Sequence, residues 1–306
     1  MHSVPHLASA AFYAGFEHSG NTCRASKLIT GSRNSMDGLL TFLGTGTSMG
    51  VPTLGCDCAV CTSADPHDCR LRPSIMVRWN EPQSGAAPGC ATERVVVIDT
   101  GPDFREQALR NRISRVDAVF YTHGHADHIL GLDDLRPLSF KAFREGAPIP
   151  LYAAPETAAV LENIFAYTFS PQATYPTRAR VRLQPLADRN PVHGVDFLRV
   201  PVMHGQMEIA GYRFGRAAYL TDVSDIPEES FALLKDLDHL VLSALRHNPH
   251  PSHATVQQAM GWARRIGARH TWLTHIAHEL AHDATNRALP AGIALAYDGQ
   301  TVPVTL

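Results

Sequence analysis

"RVDAVFYTHGHADHILGLDDL" (115–135) joins a buried strand, a loop crowded with ionisable side chains and an amphipathic stretch in one run. Apart from Arg115 and Asp117, the first eight residues are apolar, β-branched or aromatic, and they read as a buried strand ending at Thr122. After the loop, Ile129, Leu132, Leu135 and Leu138 recur at helical intervals. His123, His125, Asp127 and His128 therefore occupy a strand-to-helix loop, the place where α/β folds carry their chemistry. Only Gly124 and Ala126 separate them, and small residues let the backbone turn sharply enough to aim several imidazoles at one point. Imidazole nitrogens and a carboxylate oxygen are the donors that zinc or iron takes in a reactive site. The loop is expected to bind metal rather than simply face water.

The chain has 306 residues, a net charge of -2 and 44% hydrophobic residues, enough for a substantial core. Near-neutral charge leaves no general electrostatic footprint for nucleic acid. No apolar run approaches the roughly 18 residues that span a bilayer. The first 35 residues mix Ser, Gly, Asn and His without periodicity. They are expected to be a disordered extension, with Met36 as an alternative start. They read as neither signal peptide nor anchor, so a cytoplasmic location is expected and the six cysteines should be reduced or metal-bound.

From residue 36 to 306 nothing resembles a linker, and one domain is expected there. Strands are expected at 39–43, 74–79, 94–99, 116–122, 149–154, 195–202, 216–222, 239–245 and 270–275, with a polar loop at 80–93. Helices are expected at 103–112, 132–144, 155–166, 228–237 and 254–267. The early strands follow one another without intervening helices, which argues for mixed sheets in an α/β fold.

One loop cannot surround two metal ions. "VPVMHG" puts His204 just past a strand, "AAYLTDVSD" does the same for Asp222, and "HTWLTHIAHE" for His275. Each alone could cap a turn; together they extend the first loop's donor set.

In this order the residues resemble the metallo-β-lactamase superfamily, whose ligands run H-x-H-x-D-H, His, Asp, His. The resemblance implies an αββα sandwich of two mixed sheets flanked by helices. It also implies a dinuclear centre: His123, His125 and His204 on one metal, Asp127, His128 and His275 on the other, and Asp222 bridging. Asp99, at the end of "VVVID", matches a supporting carboxylate of that family.

A second cluster lies in "GVPTLGCDCAVCTSADPHDC" (50–69). Cys56, Cys58 and Cys61 have the spacing of a closed structural zinc site that needs a fourth ligand, for which His67 and Cys69 are local options. The stretch is similar to the phosphoribosyl 1,2-cyclic phosphate phosphodiesterases and their relatives. That resemblance makes His278 of "THIAH" (274–278) the fourth ligand and leaves Cys23, Cys69 and Cys90 without a role. It also implies a catalytic histidine at His253, at the start of a helix and 22 residues before His275. His247 and His250 nearby are read as ordinary loop histidines.

The function so implied is a dinuclear zinc hydrolase of a small cyclic or nucleotide-like phosphodiester, with Asp127 and His253 in the catalytic set. Mn²⁺ or Fe²⁺ are alternatives at the catalytic pair, and a homodimer is allowed. Two other readings are a tRNA 3′-end processing nuclease and an iron-dependent oxidoreductase related to the pyrroloquinoline quinone biosynthesis protein.

Overall fold

In the computed structural model, residues 36–82, 91–172 and 174–306 are described. The expected N-terminal tail, Cys23 and Cys90 lie outside them. The strands are β1 (Asp37–Gly44), β2 (Ser74–Pro82), β3 (Ala91–Ile98), β4 (Ala118–Phe120), β5 (Ile149–Ala153), β6 (Val181–Pro185) and β7 (Arg189–Val192). Then come β8 (Val195–His204), β9 (Met207–Phe214), β10 (Ala217–Leu220), β11 (His239–Ser243), β12 (His270–Thr274), β13 (Ile293–Leu295) and β14 (Thr301–Thr305). Helices are α1 (Phe104–Arg110), α2 (Ala126–Ile129), α3 (Arg136–Arg144), α4 (Pro155–Ile164), α5 (Ala166–Phe169), α6 (Val256–Ile266) and α7 (His282–Ala288).

The strands form two seven-stranded sheets, ordered β14-β1-β2-β3-β4-β5-β6 and β13-β12-β11-β10-β9-β8-β7. Both are mixed. β14, β1, β2 and β3 pair antiparallel, then β3 to β6 run parallel. In the other sheet β7 to β10 pair antiparallel, and β10 to β13 run parallel.

Three apolar layers hold the sandwich together. Between the sheets lie Phe42, Val77, Phe120, Phe197, Tyr212 and Tyr219. Outside the first sheet, Phe104, Ile129, Leu132 and Leu161 cover it, and outside the second, Val256, Ala259 and Leu280 do so. Alternation along β8 sends Phe197 inward and Val200 and Val202 to the outer layer. A four-layer αββα sandwich follows, as the resemblance implied.

Several elements differ from expectation. The segment 132–144 splits into a 3₁₀ turn (Leu132–Leu135) and α3, because Pro137 sits in the first turn and has no N–H to continue a helix from behind. Residues 228–234 form a 3₁₀ turn, not the expected α-helix. Regular pairing in 116–122 covers only β4, and the loop at 80–93 is shorter than expected because β2 reaches Pro82 and β3 starts at Ala91. The strands β6, β7, β9, β13 and β14 were not expected; β13 has three residues and β7 four, including Pro191. α6 has a capping box from Thr255 and ends at Gly267 with φ 71°. His253 therefore precedes the helix and does not cap it. No helix among the described residues is long and apolar enough to cross a membrane.

Phe197 is fully buried at the sheet–sheet interface, 4.8 Å from the Phe120 ring and 5.6 Å from Phe214. Phe197→Ala should lower stability by about 3–5 kcal/mol in urea unfolding. A loss under about 1 kcal/mol would mean that the two sheets do not share this core.

Candidate metal centre

The site lies where the parallel strands of both sheets end, the usual place for chemistry in open α/β sheets. Asp99 follows β3, Asp222 follows β10 and His275 follows β12. All three take left-handed backbone, with φ of 66°, 57° and 56°. That region costs a side-chain-bearing residue roughly 1–3 kcal/mol and persists only where surrounding structure enforces it. A close approach is enforced too: a Cβ on Gly101 would lie 2.0 Å from the carbonyl oxygen of Asp127, so only glycine lets the β3–α1 turn pack against the histidine loop.

His123, His125 and His204 form one donor group, their ligand atoms within 4.8 Å of one another. His123 Nε2 lies 3.0 Å from His125 Nδ1. His204 Nδ1 donates to the Ser252 carbonyl at 2.7 Å, which leaves Nε2 as its donor atom. Asp127, His128, Asp222 and His275 form the second group, all buried. His128 Nε2 lies 3.2 Å from both Asp127 Oδ2 and Asp222 Oδ2, and His275 Nε2 lies 3.1 Å from Asp222 Oδ1. Asp222 also lies within 4.8 Å of His204 and His253, so it joins the two groups.

Asp99 organises the loop from beneath. Its Oδ2 faces His128 Nδ1 at 2.7 Å and accepts from Thr122 Oγ1 at 2.8 Å, and its Oδ1 accepts from Thr122 N. Thr122 Oγ1 in turn lies 3.0 Å from His123 Nδ1. Both imidazoles are thereby turned with Nε2 toward the centre, the arrangement by which outer carboxylates orient metal-binding histidines. Thr122 was not singled out from the sequence, although a threonine precedes His123, Asp222 and His275 alike: Thr122, Thr221 and Thr274. Thr221 Oγ1 donates to Asp222 Oδ2 at 2.7 Å.

A divalent metal fits this pattern. Asp127 Oδ2, His128 Nε2, His275 Nε2 and His253 Nδ1 are buried without a hydrogen-bond partner. They converge without hydrogen-bond geometry, and that much unsatisfied polarity is costly unless a cation completes it.

Charge placement agrees. Burial alone would lower the His275 pKa, but the Asp222 and Asp127 carboxylates outweigh it and lift it to about 9. His128 is likewise raised, by Asp222, Asp127 and Asp99 against its burial. Burial opposes ionisation of Asp127 and Asp222, yet the neighbouring imidazoles hold both well below the usual carboxylate range. His123 is pushed well below its ordinary value by burial and by His128.

The cysteine loop meets the other end of the same segment. Cys56, Cys58 and Cys61 Sγ lie 3.2, 3.4 and 3.4 Å from His278 Nδ1. A tetrahedral zinc with bonds of roughly 2.3 Å to sulfur and 2.0 Å to nitrogen has an S–N edge of about 3.5 Å. Backbone N–H donation from Cys61 lowers the Cys58 thiol to about 6, favouring the thiolate that a metal needs. Of the two local alternatives, His67 packs its ring at a tilt against Tyr297 and His282 instead, and Cys69 is exposed. Arg70, fully buried, ties the two regions together by donating to the carbonyls of Ala277 and Leu280 at 3.0 and 2.6 Å and to Asp68 at 3.0 Å.

A beta-lactamase superfamily domain matches residues 94–276, well over half of the chain. The chain belongs to the beta-lactamase superfamily, with the metallo-β-lactamase fold. Within the superfamily it is similar to the crystal structure of a new diphosphatase from the PhnP family, with 52% identity and a TM-score of 0.79 over 89% of this chain and 99% of the other. An octanoyltransferase of Porphyromonas gingivalis (strain W83) is 37% identical over 84% of this chain, and the chain spans 50% of that protein's length. Zinc-bound PqqB of Methylobacterium extorquens is 20% identical with a TM-score of 0.58, covering 86% of this chain and 99% of that one. Human tRNase Z, short form, is 19% identical with a TM-score of 0.57, covering 86% and 98%. At such identities the last two show the fold alone.

Coordination requires neutral imidazole, so loading the second donor group must displace the protons held by His128 and His275. The sign follows from the raised pKa of His275. In the metal-free protein its ion pairing stabilises fully below about 6.5 and is lost as pH rises through about 9. Calorimetric metal titrations at pH 7.5, in buffers of different ionisation enthalpy, should report release of about one proton fewer for His275→Ala than for wild type. The difference should vanish by pH 10; equal release at pH 7.5 would show that His275 is neutral before metal binds.

Proposed function

We propose that the chain is a zinc-dependent hydrolase of P–O bonds in a small phosphodiester, cyclic or nucleotide-like. The observation that carries this reading is the pair of donor groups joined by Asp222 at the strand ends, buried apart from His125. His123, His125 and His204 would hold one zinc, and Asp127, His128 and His275 the other, with Asp222 between; Mn²⁺ or Fe²⁺ suits the same donors. When bound, two such ions would polarise phosphoryl oxygens and bring the pKa of water to about 7. The protein's own part is orientation: Asp99 and Thr122 set the His123 and His128 rings, and the Ser252 carbonyl sets His204. Cys56, Cys58, Cys61 and His278 would take a third, structural zinc, and reduced thiols suit the cytoplasm.

His253 has the placement of a proton donor to the leaving oxygen. Its ring lies 4.7 Å from those of both His204 and His275, and its unpartnered Nδ1 faces Asp222 Oδ1 at 3.8 Å. Burial and His275 hold its pKa down at about 3, so it is neutral before substrate binds. An anionic phosphoryl group alongside favours the charged ring, so the proton would arrive with substrate. A second reading, cleavage of a diphosphate, is favoured by the 52% identity to a diphosphatase. The nuclease reading rests on a shared fold only, and the quinone-pathway reading on that fold and on 34% identity over 37% of this chain to a coenzyme PQQ synthesis protein B.

Metal analysis should find about three zinc per chain, falling to about two in Cys56→Ser/Cys58→Ser with reduced solubility. An unchanged count in that variant would remove the structural site from the proposal.

General-acid help supplies 10²–10⁴-fold, and its worth depends on the leaving group. His253→Ala should keep most activity on bis(p-nitrophenyl) phosphate, whose nitrophenolate leaves unaided, and lose about 100-fold or more on a ribose cyclic phosphate. Equal losses on both substrates at unchanged metal content would exclude proton donation by His253.

A further inference from the structure

Besides His253, the loop between β11 and α6 carries two histidines that neither donor group uses. His247 is exposed, whereas His250 is half-buried. The His250 ring lies 5.0 Å from that of His253, which itself lies 4.7 Å from His204 and His275. His250 is thus the outer member of a row of imidazoles that begins at the metal centre.

Its hydrogen-bonding role is decided locally. His250 Nδ1 lies 3.3 Å from the backbone nitrogen of Ser252 and 3.3 Å from its Oγ. A backbone N–H can only donate, so Nδ1 must present its lone pair and the neutral ring carries its proton on Nε2. Nε2 has no hydrogen-bond partner among the described residues. Ser252 also accepts from His204 Nδ1 at 2.7 Å, so one residue orients both a donor of the metal centre and this outer ring. Arg246 braces the loop by donating to the carbonyls of Asn248 and Pro249, both at 3.3 Å.

We propose that His250 is a further substrate-contact residue: its Nε2–H donates to an oxygen of the substrate beyond the scissile bond, a sugar hydroxyl or a second phosphoryl group. This rests on the phosphate-ester reading above. In that reading the reacting phosphorus sits over the donor groups and the leaving oxygen faces His253. His250 lies one ring further out, where the remainder of the leaving group must pass. A donor with no acceptor function suits oxygen-rich groups and gives an aryl group nothing to bond.

The test is binding to the zinc-loaded full chain by calorimetry, with inorganic phosphate, AMP and the non-hydrolysable α,β-methylene analogue of ADP. A hydrogen bond to a charged or hydroxyl oxygen should appear as about a tenfold loss in His250→Ala for AMP, the ADP analogue or both, with phosphate changed less than about twofold. Loss for both ligands indicates the sugar, and loss confined to the ADP analogue indicates the second phosphoryl group. His250→Gln, whose amide N–H reaches the Nε2 position, should recover most of the affinity. Equal weakening of all three ligands, no change for any, or failure of glutamine to recover what alanine loses would overturn the proposal. So would a ¹⁵N spectrum placing the His250 proton on Nδ1. His250-dependent binding without cleavage of any phosphodiester or diphosphate would instead overturn the hydrolase reading and leave the contact standing. Wild type that binds none of the three would overturn both.

Discussion

A buried set of imidazoles and carboxylates at one edge of the sandwich is the constraint that the rest of the structure serves. His128 and His275 are fully buried, and Asp222, between them, is 2% exposed. Moving such groups out of water is costly unless opposite charge and directed donors surround them. Their mutual ion pairs cover part of that cost, while the orphaned Nε2 and Oδ2 atoms leave a need that a cation would meet. The fold must therefore hold a site whose polar groups do not satisfy one another, and rigid strands on both sides do so.

The same logic explains where strain is stored. Asp99, Asp222 and His275 leave their strands in left-handed conformation, each at the end of a strand locked by ladder bonds. The Thr45 loop completes the enclosure by accepting from the Ile276 N–H at 2.9 Å while its own N–H and hydroxyl donate to Asp298. Burial lifts the Asp298 carboxyl to about 6 despite these donors. Reversals of this kind project side chains from two different sheets into one volume, which ordinary extended strand ends would not.

The cysteine loop belongs to this scheme as a brace. His275 and His278 lie on one short segment, the first facing the active centre and the second facing three thiols. Arg70 grips the carbonyls just beyond, so any metal held by the cysteines restrains the backbone that presents His275. His278 Nε2 also faces Glu279, whose carboxylate pairs with Arg246 at the root of the His253 loop.

Most of the side chains that the structure brings together here were legible in the sequence, because imidazoles and carboxylates are chemically conspicuous and fall at the ends of apolar runs. The loop 123–128 announced itself by composition, and His204, Asp222 and His275 by position after strands. Thr122, Ser252 and Arg70 were not legible, since a threonine, a backbone carbonyl and a lone arginine carry no signal until a partner is seen. The same holds for secondary structure. Long apolar strands such as β2 and β3 stood out, whereas β7 and β13 are too short for their pattern to exceed noise, and the segment 228–234 has helical spacing on a 3₁₀ rather than an α-helical backbone. By itself the sequence determined which donors exist and that they sit at strand ends, because side-chain chemistry and hydrophobic period are local properties. Only the tertiary structure decided how they group, which nitrogen each histidine presents, that His253 precedes its helix, and that His250 stands next to it. Those depend on contacts between residues as far apart as Asp99 and His128, or Ser252 and His204, and no local pattern encodes such distances.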